Sequence, residues 1–134
     1  MELPLIIFDD IELWTTTTLR AAITARTEAY TDNVFVSNKV PNPRRDRMVI
    51  VRRDGGPRLD AVREAARLGV QVWALTDQDA TDLARMAAAL LWASPNGDPV
   101  CKVTQILGPT PVPDESLQPL VYMTFELITK GRNL

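Results

Sequence analysis

The side chains that could do chemistry in this chain fall in four places. Asp77, Asp79 and Asp82 stand close in sequence, and clustered carboxylates are what a hard divalent cation requires. No calcium-loop motif surrounds them. Carboxylates at these positions also compensate the dipole at the start of a helix, which is the stronger reading. Asp54-Gly55-Gly56-Pro57 would cradle a phosphate only if the glycines led into a helix N-terminus with a lysine behind. Pro57 follows instead, so a hairpin turn is expected. Cys101 has no histidine to activate it, because the chain contains none; mid-strand, it reads as a small buried hydrophobe. Arg44, Arg45 and Arg47 could touch nucleic acid, but they lack interleaved aromatics. They fit a charged loop that reaches a neighbouring subunit better. With no coupled nucleophile and base, the sequence predicts no catalytic activity, no cofactor and no required metal.

The composition sets the frame for these residues. A chain of 134 residues suits one domain spanning residues 1–134, and it can bury roughly two-thirds of its unfolded surface without staples. Fifteen basic residues stand against seventeen acidic ones. That balance argues against a dedicated nucleic-acid binder, which shows a basic excess. A single cysteine excludes an internal disulfide and a cysteine-based zinc site. The opening residues carry only a short apolar patch, with no basic n-region and no cleavage site, and no run is long enough to span a bilayer. The expectation is a soluble protein made in a reducing compartment.

The elements that must position these residues are organised around Val70–Ala93. Val70, Val72 and Ala74 alternate with Gln71, Trp73 and Leu75, the period of a strand. Ala80, Leu83, Ala84, Ala87, Leu90 and Leu91 then recur at helical steps, with Thr76 or Asp77 as the cap. The end of this helix, Met86 to Ala93, is apolar nearly all round. It is either enclosed by its own domain or meets a partner chain, with Trp92 the candidate contact residue.

The flanking segments complete the plan. Residues 1–8 read as extended. A helix starts at Asp9 or Asp10, with Ile11, Trp14, Thr18, Ala22 and Ala25 on one face, and is strongest from Leu19 to Glu28, because the four threonines before it are stiff. Val34–Val36 and Met48–Arg53 read as strands. Between them Ser37–Arg47 reads as an exposed loop, mobile in a free monomer. Arg58–Gly69 has a helical pattern, with Gly69 as its cap. Val100–Leu107 reads as a strand, Gly108–Pro119 as a proline-rich loop, and Val121–Ile128 as the clearest strand, with Val121, Met123, Phe125 and Leu127 inward. Thr129–Leu134 reads as a frayed tail. The expected core joins Leu83, Ala87, Leu90 and Val72 to Phe125 and Leu127. The fold class is α+β: a mixed or antiparallel sheet of about four to five strands, with two main helices packed on one face.

Several of these segments have an order of their own. MVIVRRDGGP is followed by ARLGVQVWALTDQDATDLARMAAALLW, then VTQILGPTPVPDES, then PLVYMTFELITKG. From about Val34 to Gly131 this order resembles the tail terminator proteins of long-tailed bacteriophages, in particular those of actinobacteria. The resemblance implies a small α+β structural protein with no reaction and no cofactor. It implies a homo-oligomeric ring, typically six-fold, at the head-proximal end of the tail in the virion, assembled in the host cytoplasm. Such a ring caps the tail tube, stops its polymerisation and meets the head-completion protein. DNA passes through its lumen without specific binding. The resemblance also implies that the segment after Gly-Gly-Pro is an extended hairpin arm, with at least Glu64–Leu75 as strand rather than helix. On this reading the subunit contact sets Arg44, Arg45 and Arg47 against Asp77, Asp79 and Asp82 of the neighbour, with closure into a ring rather than a filament. The competing readings are a neck or head–tail connector of the same virion and a small non-enzymatic binding module.

Overall fold

A computed structural model describes residues 4–134, so the part of the extended N-terminus that falls on Met1–Leu3 lies outside the described residues. The elements run β1 (Ile6–Ile7), α1 (Ile11–Thr24), a 3-10 turn (Ala29–Thr31), β2 (Phe35–Ser37), β3 (Met48–Arg53), β4 (Arg63–Trp73), α2 (Asp77–Trp92), β5 (Val100–Val112), β6 (Leu120–Lys130) and β7 (Arg132–Asn133). Five strands form a mixed sheet in the order β2-β3-β4-β6-β5, and β1 pairs with β7 in a separate two-stranded ribbon. Only β2–β3 is parallel; the other pairs are antiparallel. Both helices pack on the same face of the large sheet. The fold is α+β.

The period-2 pattern decides which side chains meet the helices. Val49 and Val51 of β3, Ala66, Leu68, Val70 and Val72 of β4, and Val121, Met123, Phe125 and Leu127 of β6 all enter one buried cluster. Leu83 and Ala87 of α2 fill it from above, as the sequence predicts, together with Leu91; Leu90, expected in the core, is only half-buried at its edge. Thr76 is the N-cap of α2, its hydroxyl accepting the Asp79 N–H at 3.1 Å. Asp10 caps α1 by accepting the Leu13 N–H at 3.0 Å. Glu12 anchors the first turn of α1 to the sheet. Its carboxylate accepts the Arg53 N–H at 2.9 Å and the Asn38 side-chain N–H at 2.8 Å.

The structure corrects the sequence reading in several places. α1 ends at Thr24 rather than near Glu28. Its buried stripe is Ile11, Thr15, Leu19 and Ile23, turned from the predicted one so that Trp14 and Thr18 are only half-buried and Ala25 is exposed. The helical pattern of Arg58–Gly69 is overruled: β4 is extended from Arg63, between β3 and β6, as the resemblance implies, and it stops at Trp73 rather than Leu75. β2 starts at Phe35 rather than Val34. β5 does not stop at Leu107. It continues to Val112 through segments expected to be loop, in broken register with β6; an edge strand tolerates proline because one side of its backbone needs no ladder bond. Cys101 is exposed, not buried. The register of β5 slips between Val100 and Lys102, which leaves Cys101 as the unpaired residue of a bulge. The tail is not frayed. Thr129 and Lys130 complete β6, Arg132 and Asn133 pair with Ile7 and Ile6, and the Leu134 N–H donates to the Leu5 carbonyl at 3.0 Å.

Candidate subunit-contact surfaces

The face of the sheet away from the helices carries a second, smaller cluster: Met48, Ile50, Trp73 and Leu120, flanked by Phe35 and Val40. Two loops close over it, residues 38–47 and 113–119. They are tied to the sheet and to each other by a polar knot around Trp73. The Trp73 indole N–H donates to Asp114 Oδ2 at 3.1 Å. The Arg44 guanidinium lies 5.2 Å from the centroid of the Trp73 ring and donates to Gln118 Oε1 at 3.2 and 3.4 Å. Gln118 Nε2 donates back to the Arg45 and Asp46 carbonyls at 3.2 and 2.9 Å. Ser116 donates its hydroxyl proton to Asp114 as well. These donors hold the Asp114 carboxyl below the ordinary aspartate range: the Ser116 hydroxyl first, then the Trp73 indole, with the Arg44 charge a smaller contribution.

The arginines expected to reach a neighbour are therefore engaged within their own chain. Arg44 belongs to the knot. Arg45 stacks 5.6 Å from the Phe35 ring centroid and donates to Asn33 Oδ1 at 2.9 Å. Arg47 donates to the Asp32 carbonyl at 3.1 Å and pairs with Asp79 at 3.5 Å. The Arg47–Asp79 ion pair, read from the sequence as a contact between subunits, is thus made inside one chain. Residues 38–47 lie against their own sheet, with the Arg44 and Arg45 guanidiniums over the Trp73 and Phe35 rings. Asp82 accepts from Gln78 Nε2 at 2.9 Å. Asp77 is exposed and makes no ion pair among the described residues. Asp77, Asp79 and Asp82 do not converge: no group of three potential metal-ligating side chains occurs among the described residues. Trp92, the last residue of α2, is 53 % exposed, while Ala87, Ala88 and Leu91 beside it are buried. The apolar helix end is thus enclosed on one side and open at its tip.

Two surfaces that no charge motif flagged stand out. The first is an arm. Beyond Arg53 the hairpin outruns β3, and all ten residues from Asp54 to Arg63 are exposed. The arm follows β4 through irregular bonds: Asp54 N–H to the Arg67 carbonyl at 2.8 Å, Arg67 N–H to the Gly55 carbonyl at 2.9 Å, and Ala65 N–H to the Pro57 carbonyl at 2.9 Å. Gly56, with φ of 109°, makes this approach possible, since a Cβ there would lie 1.9 Å from the Ala65 carbonyl oxygen. Asp60 fixes the tip, accepting the Val62 and Arg63 N–H groups at 2.9 and 2.8 Å and pairing with the Arg63 guanidinium at 2.8 Å. The same bonds, that from the Val62 N–H foremost, hold its carboxyl below the ordinary range. Arg58 stacks 4.9 Å from the Phe8 ring centroid. Between these polar residues Leu59 and Val62 are 48 % and 45 % exposed.

The second surface is a groove of about 550 Å³ at the opposite end of the sheet, formed by Pro111–Leu120 with Asp77 on its rim. Leu117 projects there at 91 % exposure and holds a φ of 64°. A bulky side chain in the left-handed region is a genuine outlier, and such strain clusters where structure serves binding. The sequence does carry a faint signal for both surfaces: isolated aliphatic residues within polar, turn-forming stretches.

A further shallow depression of about 520 Å³, beside Leu13 and Trp14 on α1, is mostly apolar, and others are polar. One polar depression, of about 880 Å³, lies between the end of α1 and Val34. Its arginines, Arg26 and Arg47, are paired with Glu28 and Asp79. A smaller one of about 200 Å³ is floored by Gly69, between Arg52, Asp54, Gln71 and Tyr122. Among the described residues no helix is long and apolar enough to cross a membrane. No protein-family model matches the chain, and no curated protein matches its sequence.

Proposed function

We propose that this chain is a structural component of a bacteriophage tail: a terminator subunit that forms a homo-oligomeric ring, six-fold by the resemblance, on the finished tail tube. The ring ends tube polymerisation, offers its other face to the head-completion protein and lets DNA pass through its lumen. Its place is the head-proximal end of the tail. The observation that carries this reading is the ordered set of segments from MVIVRRDGGP to PLVYMTFELITKG. The extended course of residues 63–73 after the Gly-Gly-Pro turn supports it, because the helical pattern of that stretch argued the other way. The near-balanced charge supports it as well, since a lumen that passes DNA should not hold it by phosphate contacts.

Deleting the reading frame from the phage that carries it and imaging the lysate by electron microscopy tests the proposal. Over-long tails without heads are expected. Tails of normal length joined to heads would overturn it. Tails of normal length that fail to join heads would favour the connector reading instead.

A further inference from the structure

The arm tip and the groove lie at opposite ends of β4, which spans eleven residues, or roughly 35 Å at the rise of an extended strand. One presents a convex apolar pair, Leu59 and Val62. The other presents a concave apolar surface, Pro111, Val112, Leu117 and Pro119. The arm as a whole balances Arg58 and Arg63 against Asp54 and Asp60, but the unpaired charges nearest the two surfaces are opposite in sign. The tip carries Arg58 and Arg63 against Asp60. The groove and its margin carry Asp77, Asp114 and Glu115 against Arg44. Neither Arg58 nor Asp77 has an ion-pair partner among the described residues. We propose that the Leu59–Val62 tip of one copy seats in the Pro111–Leu120 groove of the next copy of this chain, with the acidic margin of the groove facing the basic flanks of the tip. The inference deepens the ring reading and rests on it for closure only; the contact itself stands on the two surfaces.

Three physical points favour a second copy as the occupant. Surfaces at opposite ends of one molecule cannot meet within it, and joining them between copies gives a head-to-tail contact, the type that builds rings when its rotation closes. The tip is pre-organised by Asp60 and by the Arg58–Phe8 stack, so little ordering is lost on docking. Leu117 is left-handed where its N–H closes a turn on the Asp114 carbonyl at 3.0 Å, and its side chain is left almost fully exposed, with nothing in its own domain to cover it. Apolar burial would hold the contact, and the charges would set register and encounter rate.

Cysteine cross-linking tests it. In a Cys101→Ser background, Leu59→Cys and Leu117→Cys are made separately. Both positions are exposed, and an unchanged thermal transition confirms folding. Under mild oxidation a mixture of the two variants should give a disulfide-linked dimer that neither gives alone, and Val62→Asp added to the Leu59→Cys chain should abolish it. No dimer from the mixture at several hundred micromolar protein overturns the contact, as does tip-to-tip dimer from Leu59→Cys alone in equal yield. The chain carrying both cysteines separates contact from ring. A ladder that ends in one closed species supports both. An open-ended ladder keeps the contact and removes the ring. A closed oligomer of the unmodified protein by mass, without cross-linking, removes the contact and keeps the ring.

Discussion

Leu117 sets an exposed apolar side chain on a left-handed backbone at the end of the turn that its N–H closes on the Asp114 carbonyl. Replacing it with glycine removes the steric cost of the conformation, partly offset by the extra freedom of glycine in the unfolded chain. Leu117→Gly should therefore stabilise the monomer by about 1 kcal/mol, read as a rise in the thermal midpoint, while weakening self-association. Asp114 gives the covering loops a pH dependence. Its carboxyl titrates below the ordinary value of 3.8 because Ser116 and Trp73 donate to the charged form. The stabilisation it supplies is present above that value and is lost as pH falls through the lower, folded one. Near-ultraviolet dichroism and fluorescence of Trp73 should report loosening of the two loops in that acid window, and Asp114→Asn should remove the pH dependence. These residues show where sequence reading stops. The aspartate triad and the arginines were visible as charges. That Arg44 lies on Trp73 and that Arg47 meets Asp79 in the same chain depends on how residues 38–47 fold over β3 and β4, which no local pattern encodes.

At the level of elements, strong periodicity was legible and competition between neighbours was not. The alternation of β6 and the stripe of α2 predict most of the core: Leu83, Ala87, Val72, Phe125 and Leu127 share one buried cluster, with Leu90 at its edge. Leu83→Ala should cost about 2–5 kcal/mol in chemical denaturation, and a cost near zero would show that α2 does not pack on the sheet. β4 is the opposite case. Glu64, Ala65, Ala66, Arg67 and Leu68 are helix-favouring, yet both edges of this segment are claimed by β3 or the arm and by β6. Tertiary pairing overrides a propensity of a few tenths of a kcal/mol per residue. Only the family resemblance pointed to that outcome. β5 beyond Leu107 and the β1–β7 ribbon were missed because prolines and two-residue pairings carry no periodic signal. The bulge at Cys101 was missed because one slipped residue reverses which face a side chain takes.

The whole molecule places its helices on one face and its polar loops on the other, and leaves an arm at one end and a groove at the opposite end. Its strand order, β2-β3-β4-β6-β5, has a consequence for the living cell. β6, the strand between β4 and β5, leaves the ribosome after both of them. Until Leu120–Lys130 emerges, β4 and β5 each keep a vacant hydrogen-bonding side, and the apolar stripe of α2 lacks Met123, Phe125 and Leu127. Open strand edges on a part-made chain invite pairing with other chains. Folding of this sheet should thus be completed only once Leu120–Lys130 has emerged, through contacts distant in sequence, which are slow to form. Nascent chains stalled before residue 120 should be cleaved readily by a gentle protease, and full-length released chains should resist it. Chaperone demand during synthesis of this chain would then be set by one late strand.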